Sequence, residues 1–173
     1  TFALPKPGLL FFFFSACTGS WVAADIGMPP EVLDGVGIQQ QLTTAAFVRQ
    51  LLPTRPEDAH KGTSGRVLVA AGSLSFCGAA CLAAEGAVRA GAGLVTLATP
   101  ASLQPTAALK LTEVMTRPLP EAADGGWHSE AAERLLEWAG SMNALAIGPG
   151  IGRHESTLAC VRQVARAVET PLV

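Results

Sequence analysis

Small residues, more than reactive side chains, mark where this chain could do chemistry. Gly72-Ser73 closes an apolar run (66–71), and Gly78-Ala79-Ala80 opens the Ala-rich stretch that follows. Residues this small at the start of a helix let a ligand approach the backbone, where unpaired N–H groups favour an anion. They would equally let a helix pack close to a sheet, and taken alone the spacing leaves both readings open. A second cluster, Gly148-Pro149-Gly150-Ile151-Gly152, follows the apolar run 143–147. Three glycines there permit φ values closed to other residues and bring backbone close to whatever lies over the strand end. Because α/β sheets bind ligands at strand carboxyl ends, a binding loop is favoured over a plain turn. Upstream, His60-Lys61-Gly62-Thr63 offers Lys61 to neutralise a phosphate and His60 as a donor; by itself this stretch also reads as a solvated turn.

Common signatures fail on inspection. Between Gly72 and Gly78 stand five residues where a P-loop has four, and Ala79-Ala80 occupy the Lys and Ser/Thr positions. In 148–152 the third glycine falls one place early for a dinucleotide fingerprint, with Arg153 in its stead, and Pro149 removes an N–H. Cys17, Cys77, Cys81, Cys160, His60, His128 and His154 make no zinc-ligand spacing. The cysteines instead suit small apolar roles in a reducing, cytoplasmic compartment. No Ser/His/Asp set or carboxylate dyad is present. His128 and His154 read as surface residues, Glu85 and Arg89 as an i, i+4 pair, and Cys77 and Cys81 as one buried helical face.

The elements that must position these loops alternate regularly. Strands are expected at 66–71, 94–99, 113–117 and 143–147, with helices at 78–90, 102–109, 128–139 and 155–168 and a further strand beginning at Pro171. Pro100 and Pro118 should close the second and third strands, and Leu135, Leu136 and Trp138 should form the apolar side of the third helix. Such alternation implies βαβ units and a mostly parallel sheet. The chain has 173 residues, 49% apolar and 15% charged, which is enough for one well-packed domain. A net charge of −2 without a basic stripe gives no footprint for nucleic acid. Residues 1–30 carry two β-like pieces, Phe2–Leu4 and Trp21–Ile26, ended by Pro29-Pro30; 31–56 read as a linker with a short helix at 45–52. The apolar run Leu9–Phe14 is too short to span a bilayer and is expected to be a buried strand. Both ends of the sequence are abrupt, so the chain reads as a fragment.

Several motifs, in order, resemble one family. Asp58-Ala59-His60-Lys61-Gly62-Thr63, Gly65-Arg66-Val67-Leu68-Val69, Ala71-Gly72-Ser73, Gly78-Ala79-Ala80, Arg89-Ala90-Gly91-Ala92-Gly93-Leu94-Val95 and Ile147-Gly148-Pro149-Gly150-Ile151-Gly152 are similar to the NAD(P)H-hydrate dehydratases of the ribokinase-like superfamily. The stretches Thr1–Leu10 and Val22–Pro29 resemble the tail of an NAD(P)H-hydrate epimerase domain. The resemblance implies an α/β fold: an incomplete ribokinase-like sheet over 57–173, with a short β remnant of an epimerase at 1–30. It implies repair of hydrated NADH or NADPH, whose C6 hydroxyl is phosphorylated with ATP or ADP and Mg2+ and then eliminated, while a K+-dependent epimerase interconverts the R and S hydrates. Substrate would lie at Ala79, Ala80, Gly148, Gly150 and Gly152, and the nucleotide cofactor at Lys61, Gly72, Ser73 and Gly78. The catalytic aspartate is expected beyond Val173, so the chain alone should be inactive. A cytoplasmic homo-oligomer without membrane or nucleic-acid partners is also implied. A sugar or vitamin kinase of the same superfamily is the alternative, and a non-catalytic binding module the third reading.

Overall fold

A computed structural model of the chain describes residues 1–11 and 16–173. It divides into two compact units, Thr1–Thr54 and Arg55–Val173.

Short helices of the first unit include α1 (Pro7–Leu10), α2 (Pro30–Gly35) and α3 (Ala45–Leu51). The two expected β pieces reduce to one isolated bridge, Phe2 to Ala24. Leu9 and Leu10 lie in α1 and are not a buried strand, Phe11 is exposed, and Phe12–Phe14 fall outside the described residues. Pro29-Pro30 start a helix as well as ending the preceding extended stretch, since proline at the first helical position forfeits only an N–H that would be unpaired anyway. Thr44 caps α3 by accepting the Phe47 N–H. No described residue of this unit is buried.

The second unit is a parallel sheet between two helical layers. Its strands are β1 (Arg66–Ala70), β2 (Leu94–Pro100), β3 (Met115–Leu119) and β4 (Ala144–Ile147), in the order β3-β2-β1-β4. All three pairings are parallel, and Leu172 bridges to Leu145 where a further strand was expected. Helices α4 (Cys77–Arg89) and α5 (Gln104–Lys110) cover one face; α6 (Glu130–Ala139) and α7 (Glu155–Ala167) cover the other. Period-two alternation in β1 divides the core: Leu68 and Ala70 face Leu135, Cys160 and Val164, while Val69 and Ala71 face Ala80, Cys81 and Ala84. Burial accordingly raises the Cys81 thiol and pushes Cys160 up to about 11, as suits thiols used as apolar filling.

Two boundaries differ from expectation because of proline. Pro100 ends β2 from inside the strand, paired in register with Leu119, and Pro118 lies within β3, which starts two residues later than expected. β3 is an edge strand here, where a missing N–H costs no ladder bond. Glu85 and Arg89 form no ion pair among the described residues; both line a cleft of about 140 Å³ beside the carboxyl ends of α4 and α5. A second cleft, about 380 Å³, lies between the ends of α6 and α7. The lining residues include the segments that lead from these helices into the strands, at the amino ends of the sheet.

Candidate functional site

β1 is the switch point of the sheet. The chain leaves it toward β2 and β3, then crosses back to place β4 on its other side. Loops leaving β1 and β4 at their carboxyl ends therefore lead to helices on opposite faces of the sheet, the arrangement at which doubly wound sheets bind ligands. Ala70 is paired with Ile147, so the two glycine clusters emerge from adjacent strands at one level. The Gly148 N–H donates to the Ala70 carbonyl (3.2 Å) and the Gly72 N–H to the Pro149 carbonyl (2.9 Å). Gly72, Ser73, Ala79, Gly148, Gly150 and Gly152 are brought together.

The contact between the loops explains two of the glycines. A Cβ at Gly150, whose φ is +72°, would lie 2.8 Å from both Cβ and the carbonyl oxygen of Phe76 and 3.1 Å from the Ala79 Cβ. At Gly72, with φ +90°, a Cβ would meet Thr99 Oγ1 at 2.9 Å and the Ala80 Cβ at 3.1 Å. Neither position admits a side chain. Beyond them the loops offer bare polar backbone: the N–H groups of Ser73, Gly150 and Gly152 have no partner among the described residues. Ser73 is itself buried, with its hydroxyl beside Gly152. Gly78 is exposed in the first turn of α4, with open space where a Cβ would stand. Together these loops, called the ledge below, carry unpaired backbone donors of the kind that suit carboxamide or phosphate oxygens.

Two expected residues do not join it through their side chains. Ala80 is 1% exposed and packs into the core under Gly72, so for this residue close helix–sheet packing is the physical role. Lys61 lies at the opposite ends of the strands: its carbonyl abuts Gly93, just before β2, in the turn preceding β1. A five-residue strand separates it from Gly72.

The described residues contain no group of three or more His, Cys, Asp or Glu able to hold a metal ion, and no helix long and apolar enough to cross a membrane.

A family profile described as NAD(P)H-hydrate dehydratase matches residues 67–173, which include both glycine loops and all four strands except Arg66. The chain belongs to the NAD(P)H-hydrate dehydratase family. Its whole length aligns at 43% identity with the bifunctional NAD(P)H-hydrate repair enzyme of Moorella thermoacetica, spanning 33% of that protein. The chain thus covers about a third of the curated relatives it matches. Among solved structures, the ADP/ATP-dependent NAD(P)H-hydrate dehydratase from Bacillus subtilis, co-crystallised with ATP and Mg2+, aligns at TM-score 0.57 and 33% identity over 75% of this chain and 43% of that one. A ribokinase-like superfamily protein from Enterococcus faecalis aligns at TM-score 0.55 and 24% identity, covering 69% of this chain and 39% of its own, and shows the shared fold.

Within this dehydratase-family fold, the support beneath the glycine loops escaped sequence reasoning. The turn between β3 and α6 brings Trp127 beneath the ledge, fully buried, with its indole Nε1–H donating to the Gly72 carbonyl at 3.4 Å. Its backbone N–H donates to Thr157 Oγ1 (2.8 Å) in the first turn of α7. Asp124, in the same turn, receives the Gly126 N–H and faces His154 Nδ1 at 3.5 Å. The Gly126 N–H, reinforced by His154 and Ser156, holds the Asp124 carboxyl below its ordinary value. The available signal was a large apolar residue directly after Gly125-Gly126, where a solvated loop would carry polar side chains.

Proposed function

We propose that these residues form the substrate ledge of an ADP- or ATP-dependent NAD(P)H-hydrate dehydratase, within a protein that also epimerises the hydrates. The observation that carries the reading is the Gly72–Pro149 hydrogen bond, which joins two glycine loops at the carboxyl ends of β1 and β4 in a family-matched region. On this reading Gly148, Gly150, Gly152 and Ala79 receive the hydrated pyridine nucleotide, and Gly72, Ser73 and Gly78 face its phosphates or those of the nucleotide cosubstrate.

A hydrated nicotinamide ring carries a hydroxyl at C6. Transfer of a phosphoryl group to that oxygen turns a poor leaving group into phosphate, whose elimination restores the ring. The part assigned to this chain is binding and orientation. Free N–H groups of Ser73, Gly150 and Gly152 donate to ligand oxygens, and the absence of side chains lets a flat ring lie against backbone. ATP and Mg2+ accompany the Bacillus subtilis protein. The described residues do not fit a metal site, so the ion, the general base and the phosphoryl-transfer step are assigned to other segments of the protein. Lys61 is left outside the site.

In the same proposal, residues 1–30 are the end of an epimerase domain whose K+ requirement concerns residues outside this chain, 31–56 are a linker and 57–173 the dehydratase portion. The intact protein is a cytoplasmic homo-oligomer. The test is turnover of hydrated NADPH with ADP or ATP by the full-length protein, read as recovery of reduced-pyridine absorbance. Recovery that requires the nucleoside phosphate supports the proposal; phosphorylation of a simple sugar or vitamin alcohol with no turnover of the hydrate overturns it. The isolated 173-residue chain should show no turnover.

A further inference from the structure

The geometry points to Trp127 as a positioning residue of the ledge, an inference that rests on the substrate reading above. Gly72 is the apex of a closed circuit of hydrogen bonds. Its N–H donates to Pro149 (2.9 Å), while its carbonyl accepts from the Trp127 indole (3.4 Å). The Trp127 N–H continues to Thr157 Oγ1 (2.8 Å), and the chain from Thr157 leads back through the first turn of α7 to Pro149. The Gly72 peptide is therefore held from both sides. Thr99, Ala80 and Leu103 block its retreat into the sheet, since a Gly72 Cβ would lie 2.9, 3.1 and 3.7 Å from their atoms. Its orientation sets where the next N–H, that of Ser73, is aimed. Each atom of this circuit is buried or lies in a ligand-facing loop, and Trp127 and Thr157 are both 0% exposed.

The turn carrying Trp127 is built to hold it. A Cβ on Gly126 would fall 2.6 Å from Ser156 Oγ, 2.7 Å from the His154 Cβ and 2.9 Å from Thr157 Oγ1. Only glycine lets the turn come this close to α7. The Asp124 carboxylate fixes it further by accepting from Gly126 and Ser156. Trp127 is 0% exposed and so meets no ligand itself; it acts through Gly72.

The experiment uses the full-length protein and two residue positions. Trp127→Phe keeps most of the buried apolar ring and removes the N–H. Thr157→Val breaks the other end of the brace, and Thr157→Ser restores the hydroxyl. Losing one net hydrogen bond corresponds to roughly a three- to ten-fold change in an equilibrium constant. Both Trp127→Phe and Thr157→Val should raise the dissociation constant of hydrated NADPH by about that factor, with Thr157→Ser close to wild type. In wild type, the Trp127 indole N–H resonance should shift when hydrated NADPH binds, a readout that needs no variant to fold. An unmoved resonance on saturation, or equal hydrate affinity in wild type and Trp127→Phe, overturns the positioning role. If wild type binds no hydrate at all, the substrate reading itself fails.

Discussion

Replacing Gly150 with alanine places a methyl group where the 148–152 loop meets Phe76 and Ala79. The penalty has two parts. Holding alanine at the φ of +72° found at Gly150 costs about 1–2 kcal/mol. The new Cβ would also stand 2.8 Å from two atoms of Phe76, one of them a backbone carbonyl oxygen that cannot rotate away. Overpacking of this kind adds about 1–3 kcal/mol. The sum is roughly 2–5 kcal/mol if the loops stay in place. Part of this is relieved if the 148–152 loop lifts from Phe76, but that movement opens the ledge, so lost stability becomes lost affinity. Gly148→Ala carries backbone strain without a clash: its φ is +134°, well outside the left-handed well, yet nothing lies within 4 Å of the added Cβ. Gly86→Ala is the unstrained reference, in open space within α4, and should stabilise by about 0.5–1 kcal/mol. Denaturant unfolding of the three variants, with calorimetric titration of hydrated NADPH, measures both costs. The reasoning is refuted if Gly150→Ala is as stable as wild type and binds hydrate as wild type does.

Gly78→Ala should be neutral or stabilising by up to about 1 kcal/mol, because it adds helix propensity at an open position; if ligand approaches that backbone, the same change weakens hydrate binding in titration, and unchanged affinity removes Gly78 from the ledge. Thr99 Oγ1 is buried without a partner among the described residues, so Thr99→Val should leave stability unchanged or raise it by about 1 kcal/mol in denaturant unfolding; a loss of comparable size would show that the hydroxyl is satisfied. Asp124 is held below the ordinary carboxylate value of 3.8, first by the Gly126 N–H and then by His154 and Ser156. A lowered carboxyl stabilises the fold above its unfolded pKa and loses that contribution as pH falls through the folded value. Unfolding midpoints of Asp124→Asn should therefore fall less steeply than wild type on acidification below about pH 4, and identical acid limbs would remove Asp124 from the turn's electrostatics.

What could be read from the sequence divides according to the range of the forces involved. The runs at 66–71, 94–99 and 143–147 announce themselves because strands buried on both faces are apolar throughout, and the observed β1, β2 and β4 fall within a residue of them. Pro118 misled because proline stops a central strand but not an edge strand, and edge position is a property of the whole sheet. The charge of Lys61 suggests a place beside Gly72, although a strand's length lies between them. Ala80 was grouped with Ala79 although helix geometry turns one inward and the other toward Gly150. The glycine loops were legible because each follows a strand locally. Their union was less so, since the Gly72–Pro149 bond joins residues 77 positions apart, and Trp127, bonded to Gly72 from 55 positions away, left only a large apolar residue in a turn as its trace. Residues that would touch a ligand directly here are small because backbone does the contacting, and small residues advertise themselves in a sequence. The residues that aim this backbone are large, buried and ordinary in composition, so the positioning of the site can be argued only from coordinates.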